Sequence, residues 1–335
     1  MVRMAVLGCG RIGQMHAQNI LKHPETSLRG VFDIDDNSAS AIAKKLSVKK
    51  ITSVNEVFES DEIDAVLVAS ATSTHADYIE MAIRYGKPIL CEKPIDLDLN
   101  RVNKLAEIVE RSSVLIQIGF NRRFDPGHRS AKMALSNGEI GDLHQVIITS
   151  RDPEMPPFSY YKDAGGLMRD MTIHDFDLAR FMLGSEPVEV FAVAGGLIDP
   201  EMMEDLDDHD SAMIIMKTEE GKQCLINNSR IAVYGYDQRV ELLGTKGMIQ
   251  SNNKKPTEIL RFTKNSVEVG EPYQYFFLER YAESFMAEIT AFVESLKENK
   301  PAAVSFNDGH KALILAEAAY LSLKQRRLVK IEEVI

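Results

Sequence analysis

Val2-Arg3-Met4-Ala5-Val6-Leu7-Gly8-Cys9-Gly10-Arg11-Ile12-Gly13 decides the fold: a mostly apolar strand breaks into a glycine turn and then into helix-forming sequence. Gly8 suits the tight turn out of the strand, Gly10 the approach of backbone to a pyrophosphate, and Gly13 close packing of helix on sheet. The unpaired N–H groups of the helix start favour an anion without any basic side chain. Gly-x-Gly-x-x-Gly alone is weak evidence, because glycine turns arise without ligands. A second apolar segment adds to it: Leu28-Arg29-Gly30-Val31-Phe32 ends in Asp33, 20 residues past Gly13. That is the offset of a carboxylate that binds ribose hydroxyls. Asp35 and Asp36 follow, so the adenosine end is acidic and repels a 2′-phosphate. NAD is expected rather than NADP.

A chain of 335 residues is long for one core, and two domains are expected. The net charge of −11, with no basic block to offset it, argues against nucleic acid and anionic membrane surfaces as partners. A small molecule is the expected ligand. Cys9, Cys91 and Cys224 are odd in number and lack metal-ligand spacing, which fits a reducing cytoplasm. No apolar run approaches the roughly 18 residues of a spanning helix, and Met1 leads straight into a strand, so an unprocessed, soluble, cytoplasmic protein is expected.

Strand-like and helix-like segments alternate through the first third. Apolar runs at 65–69, 88–91 and 115–119 are separated by helical patterns at 76–85 and 100–111, which predicts an N-terminal doubly wound parallel sheet, a Rossmann domain over 1–121. Beyond it, strand-like runs follow one another at 143–150, 188–194, 211–216, 223–228, 239–243 and 258–262. Helical patterns occupy 167–183, 278–296 and 309–323. The segment 122–335 therefore reads as a C-terminal α+β domain with a largely antiparallel, open sheet, and the acidic run 201–210 reads as a solvated loop.

In a doubly wound sheet the ligand lies outside the carboxyl ends of the strands. Glu92-Lys93-Pro94 directly follows one strand, and the polar loop with Ser70, Thr72 and His75 follows another. With Gly8, Gly10, Arg11, Ile12, Gly13 and Asp33, these are the candidate cofactor contacts, while Lys93 also reads equally well as a surface lysine. Asp170 and His174 are four residues apart, one helical turn, and can interact. A histidine with a carboxylate neighbour suits a general base, though a helix-surface ion pair has the same spacing. His-x-x-x-His, clustered cysteines and a Gly-x-Ser-x-Gly elbow do not occur, so neither a zinc site nor a serine nucleophile is expected. Redox chemistry by a bound nucleotide remains.

With these residues in hand, the chain resembles the glucose-fructose oxidoreductase / inositol dehydrogenase / rhizopine catabolism family, and within it the myo-inositol 2-dehydrogenases. The resemblance runs through the glycine loop with His16 and Ala17 after it, Asp33, Glu92-Lys93-Pro94, Asn121-Arg122-Arg123-Phe124-Asp125, Gly165-Gly166, and Asp170 with His174 and Asp177. It implies a homotetramer packed through the open C-terminal sheet. It also implies that Lys93 contacts substrate and the nicotinamide end, that His174 is the acid/base helped by Asp170, and that Arg123 and Tyr236 contact a polyol. Arg151-Asp152-Pro153 departs from the His-x-Asn pattern of some inositol enzymes, so the resemblance bears on the chemistry more than on the substrate. The chemistry it implies is oxidation of a secondary hydroxyl of a cyclic polyol, myo-inositol to 2-keto-myo-inositol, with His174 accepting the hydroxyl proton. A related sugar dehydrogenase or ketosugar reductase, and a non-catalytic NAD-binding regulator, are the alternatives.

Overall fold

The apolar run at the N-terminus forms the strand β1 (Val2–Leu7), flanked in parallel by β2 (Thr26–Phe32) and β4 (Ala65–Val68). The computed structural model describes residues 1–334. With β3 (Lys49–Lys50), β5 (Ile89–Glu92) and β6 (Ile116–Gly119) these strands make one six-stranded parallel sheet in the order β3-β2-β1-β4-β5-β6. The chain therefore reverses direction of winding beside β1, and the glycine loop sits at that switch point. Ala65, Val66, Leu67 and Val68 are all fully buried, because helices cover both faces of the sheet.

Two compact units make up the chain: Met1–Asn121 with Ser284–Leu313, and Arg122–Glu283 with Ile314–Ile335. The sequence reading places everything after residue 121 in a second domain; the structure differs over 284–313. The reason is burial. Ile289, Phe292 and Val293, on the helix Ala282–Glu298, belong to the same core as Met4, Val6, Ile20 and Leu67. Burying such side chains is worth roughly 1.5–3 kcal/mol each, which ties this segment to the first sheet.

The second unit carries a seven-stranded sheet. Its strands are β7 (Leu143–Arg151), β8 (Pro187–Gly195), β9 (Ser211–Thr218), β10 (Gln223–Ser229), β11 (Asp237–Gly244), β12 (Gly247–Ser251) and, after a separate hairpin of β13 (Arg261–Thr263) and β14 (Ser266–Val269), β15 (Val329–Lys330). The order is β12-β11-β7-β10-β9-β8-β15, antiparallel throughout except for β10 against β7. Strand β9 alternates strictly: Ala212, Ile214, Met216 and Thr218 are buried, and Met213 and Ile215 face away from the core. On that outer face Phe191 lies opposite Ile215, Val193 opposite Met213, and Leu225 between Ile215 and Ile147.

One expected loop is a helix. Within the acidic run, Pro200–Leu206 is helical because Asp199 caps it, accepting from the Met202 N–H at 3.1 Å, and Pro200 occupies its first turn. Asp210, also in that run, is buried and accepts from the N–H groups of Leu197, Ile198 and Asp199. Burial opposes its ionisation, but those three donors outweigh it and hold the carboxyl below its usual range.

Candidate functional site

The glycine loop leads into the helix α1 (Arg11–Lys22), whose start at Gly10 has no side-chain cap. Gly8 adopts φ +98°, and a Cβ there would lie 2.4 Å from the Ala69 carbonyl oxygen. A Cβ on Gly13 would lie 1.9 Å from the Gly8 carbonyl oxygen, so the helix packs on the loop only without a side chain. Above Gly10 there is open space, with nothing within 4 Å of an added Cβ. Asp33 holds the loop: its Oδ2 accepts from the Cys9 N–H at 2.6 Å and its Oδ1 from the Asp35 N–H at 2.9 Å. Asp35 caps the helix Asp36–Leu46, and Asp36 pairs with Lys50 at 2.6 Å. An uncapped helix start, an unfilled cradle and a fixed half-exposed carboxylate beside it fit a dinucleotide. Ile34, 97% exposed next to Asp33, is a large apolar side chain that sequence reasoning passed over.

The loops after β4 and β5 are tied together. His75 is buried, with Nδ1 2.7 Å from the Pro94 carbonyl oxygen and Nε2 3.1 Å from that of Ser70. Burial pushes its pKa down. Ser70 Oγ and Thr74 Oγ1 are 2.7 Å apart, and Thr72 opens the short helical turn between them. Lys93 is half-buried and directly follows Glu92, the last residue of β5. Cys9 is buried, and its thiol is pushed up to about 12 by burial, which makes it a poor nucleophile.

In the second unit the expected helix over 167–183 starts differently. Met168–Thr172 is a π-helical turn, and the α-helix Ile173–Leu183 follows it. Such wide turns occur often at functional sites. His174 is half-buried at the start of that helix. Asp170 is buried in the π turn: Oδ1 accepts from Tyr160 Oη at 2.8 Å and Oδ2 from Arg230 Nη2 at 2.8 Å. Arg230 also reaches Asp152 at 3.3 Å and lies over the Tyr161 ring at 5.5 Å. Burial opposes the Arg230 charge, but Asp170 and Asp152 outweigh it and raise its pKa. Burial raises Asp152 in turn. Arg230 and Tyr160 are site neighbours that sequence reasoning missed, and Asp152, read there only as part of the Arg151-Asp152-Pro153 departure, joins them; a signal for Arg230 was the polar run at the end of β10, Asn227-Asn228-Ser229-Arg230.

The arginine pair is held by acids. Arg122 is buried against Asp175 and Ser150, and Asn228 donates to the second Asp175 oxygen at 2.9 Å. Arg123 makes a two-pronged pair with Asp177, at 2.8 and 2.6 Å, and lies over the Phe181 ring. That pair takes two of the five N–H groups of the Arg123 guanidinium. Tyr236 is 6% exposed and packs edge-on against Tyr281; burial pushes its hydroxyl well above the usual range.

Two family models match the chain: the oxidoreductase family's NAD-binding Rossmann fold over residues 2–120 and its C-terminal alpha/beta domain over 132–331. The inositol 2-dehydrogenase of Rhizobium meliloti is 43% identical, over 98% of this chain and 99% of that protein. The myo-inositol 2-dehydrogenase of Thermotoga maritima is 41% identical over the whole of both. The structure of a scyllo-inositol dehydrogenase from Lactobacillus casei, with bound NAD(H) and scyllo-inositol, matches with a TM-score of 0.91 and 28% identity over 99% of each chain.

Proposed function

Since the chain belongs to the glucose-fructose oxidoreductase / inositol dehydrogenase / rhizopine catabolism family of oxidoreductases, we propose that it is an NAD-dependent inositol 2-dehydrogenase, oxidising myo-inositol to 2-keto-myo-inositol. The observation that carries this reading is the π turn that holds Asp170 buried and leaves His174 accessible just after it. His174 takes the hydroxyl proton, and Asp170, held in place by Arg230 and Tyr160, stabilises the imidazolium that results. Lys93 stands as the cation at the alkoxide oxygen, and Tyr236 and Arg123 are the further substrate contacts. When bound, NAD supplies the hydride acceptor. Gly8, Gly10, Arg11, Ile12 and Gly13 hold its pyrophosphate, Asp33 the ribose, and Ser70, Thr72, Glu92 and Lys93 line the nicotinamide side, while the buried His75 acts through the two loops it ties together; Ile34 offers an apolar contact for adenine. The segment 1–121, with 284–313 packed on its core, is thus the NAD-binding part, and the second unit supplies substrate contacts and the oligomer surface.

The outward patch of Phe191, Val193, Met213, Ile215 and Leu225 favours a homotetramer packed through the open sheet. Three buried free thiols accord with a cytoplasmic setting. No described helix is long and apolar enough to cross a membrane.

The test is the initial rate of NADH formation with myo-inositol, scyllo-inositol, D-chiro-inositol and glucose, with NAD⁺ and then NADP⁺. Preference for myo-inositol with NAD⁺ is expected. Silence on all four with retained NAD⁺ binding would point to the reductive direction or a regulator. Asp33→Ser should lower kcat/KM for NAD⁺ roughly 10–100-fold, the worth of a hydrogen bond to a charged group, and narrow the gap to NADP⁺. An unchanged NAD⁺/NADP⁺ ratio would remove Asp33 from the ribose site.

A further inference from the structure

Three titratable side chains from distant parts of the first unit meet at the end of β5. Glu92 projects from the strand's last residue, His16 from α1 and Glu288 from the helix Ala282–Glu298. One nitrogen or oxygen of each lies within 4.8 Å of the others. His16 Nε2 and Glu92 Oε1 are 2.8 Å apart, the length of a direct hydrogen bond. The enclosure is tight. A Cβ on Gly119, the residue opposite Glu92 on β6, would lie 2.9 Å from Glu92 Oε2. The Phe285 ring stands edge-on to His16 at 5.5 Å, and Gln117 of β6 donates to the Glu288 backbone carbonyl at 3.1 Å.

Glu288 is 0% exposed, and neither of its carboxyl oxygens meets a hydrogen-bond donor. Ionised, it would place a second negative charge beside Glu92 without compensation, at a cost of several kcal/mol for a buried lone carboxylate. Protonated, it becomes a donor, and Glu92 is the carboxylate acceptor within 4.8 Å. We propose that Glu288 is a neutral carboxylic acid that shares its proton with Glu92, and that the His16–Glu92–Glu288 array positions the strand end from which Lys93 projects. Burial, and then the charge of Glu92, push the Glu288 carboxyl well above its ordinary value, in agreement with this. A divalent cation is the rival occupant of such a trio; the direct His16–Glu92 hydrogen bond favours the proton. The positioning half of the proposal rests on Lys93 acting in the reaction proposed above.

The proton has a consequence for stability. The unfolded chain releases it near the ordinary carboxyl value of 4.5, while the folded chain keeps it. Above that value the unfolded state is favoured progressively as pH rises, by about tenfold per pH unit for one proton, until the folded carboxyl itself ionises. The titratable groups facing Glu288 are Glu92 from β5 and His16 from α1, and both remain in a Glu288→Gln variant.

The experiment compares the full-length wild type with Glu288→Gln, which keeps a donor but cannot titrate, and Glu288→Leu, which has no donor. Three readouts are taken: the infrared difference spectrum at neutral pH, urea unfolding against pH without cofactor, and kcat beside the NAD⁺ Kd. A protonated-carboxyl carbonyl band present in wild type and lost in Glu288→Gln is expected, with a pH slope of stability flatter in Glu288→Gln by one proton. Glu288→Gln should retain most of its kcat, while Glu288→Leu loses roughly tenfold, the lower end for a hydrogen bond to a charged group, with its NAD⁺ Kd little moved. Absence of the band with equal slopes would overturn the proton, as would a stoichiometric divalent metal lost on substitution. An unchanged kcat in Glu288→Leu would overturn the positioning role. The infrared and unfolding arms need no substrate, so silence of the wild type toward myo-inositol would defeat the reaction and the positioning role while leaving the proton judged on its own readouts.

Discussion

His174→Gln is expected to lower kcat with myo-inositol by roughly 10²–10⁴-fold, the usual contribution of a positioned acid/base, and to leave the NAD⁺ Kd in place. Glutamine is close in size and still hydrogen-bonds, but it cannot accept the hydroxyl proton. His174 lies at the start of the helix Ile173–Leu183, within the second unit, whereas the glycine loop and Asp33 belong to the first. The substitution should therefore separate chemistry from cofactor binding. Calorimetry for NAD⁺ and steady-state rates for the polyol check both halves. Equal losses in the two, or a kcat within threefold of wild type, would take the base away from His174.

Arg230→Met should destabilise the fold by about 3–5 kcal/mol, the range for stripping one partner from a buried ion pair. The guanidinium serves two carboxylates, Asp170 at 2.8 Å and Asp152 at 3.3 Å. Methionine fills much of the volume and removes the guanidinium that both acids pair with. Asp152, whose carboxyl burial already raises, then holds its proton to still higher pH in the folded state than in the unfolded one. Stability is consequently lost as pH rises above the ordinary carboxylate value near 3.9, so the deficit should be larger at pH 8 than at pH 5. Urea unfolding at the two values measures it. The variant should also lose kcat, since Asp170 is no longer held beneath the reacting turn. A midpoint equal to wild type at both values would show that the network contributes little.

How much of this was legible in the sequence depended on the distance between partners. The dinucleotide loop and Asp33 were readable because strand, turn, helix and acid follow one another within a short segment, with the spacing set by local geometry. The seven-stranded sheet was readable from alternation such as that of β9, although the parallel pairing of β10 with β7 was not, since period two says nothing of direction. The helix Pro200–Leu206 was missed because its charge suggested solvent, while the local signal, Asp199-Pro200, is the usual start of a helix. Arg230 and Asp170 are 60 residues apart, and Arg123 and Asp177 are 54 apart, so no local pattern joins them. Glu288 is the extreme case: an ordinary glutamate in an amphipathic helix whose burial beside Glu92 follows only from the return of that helix to the first sheet. The residues proposed for chemistry were thus accessible to sequence reasoning, whereas the buried charges that hold them required the tertiary structure.

The most direct measurement follows the hydrogen itself: incubate the protein with NAD⁺ and myo-inositol carrying deuterium at C2, and read the isotope in the reduced nicotinamide by mass spectrometry. NADH bearing the label is expected, formed more slowly than from unlabelled myo-inositol when hydride transfer limits the rate. NADH without deuterium, or no NADH from myo-inositol at all, would contradict it.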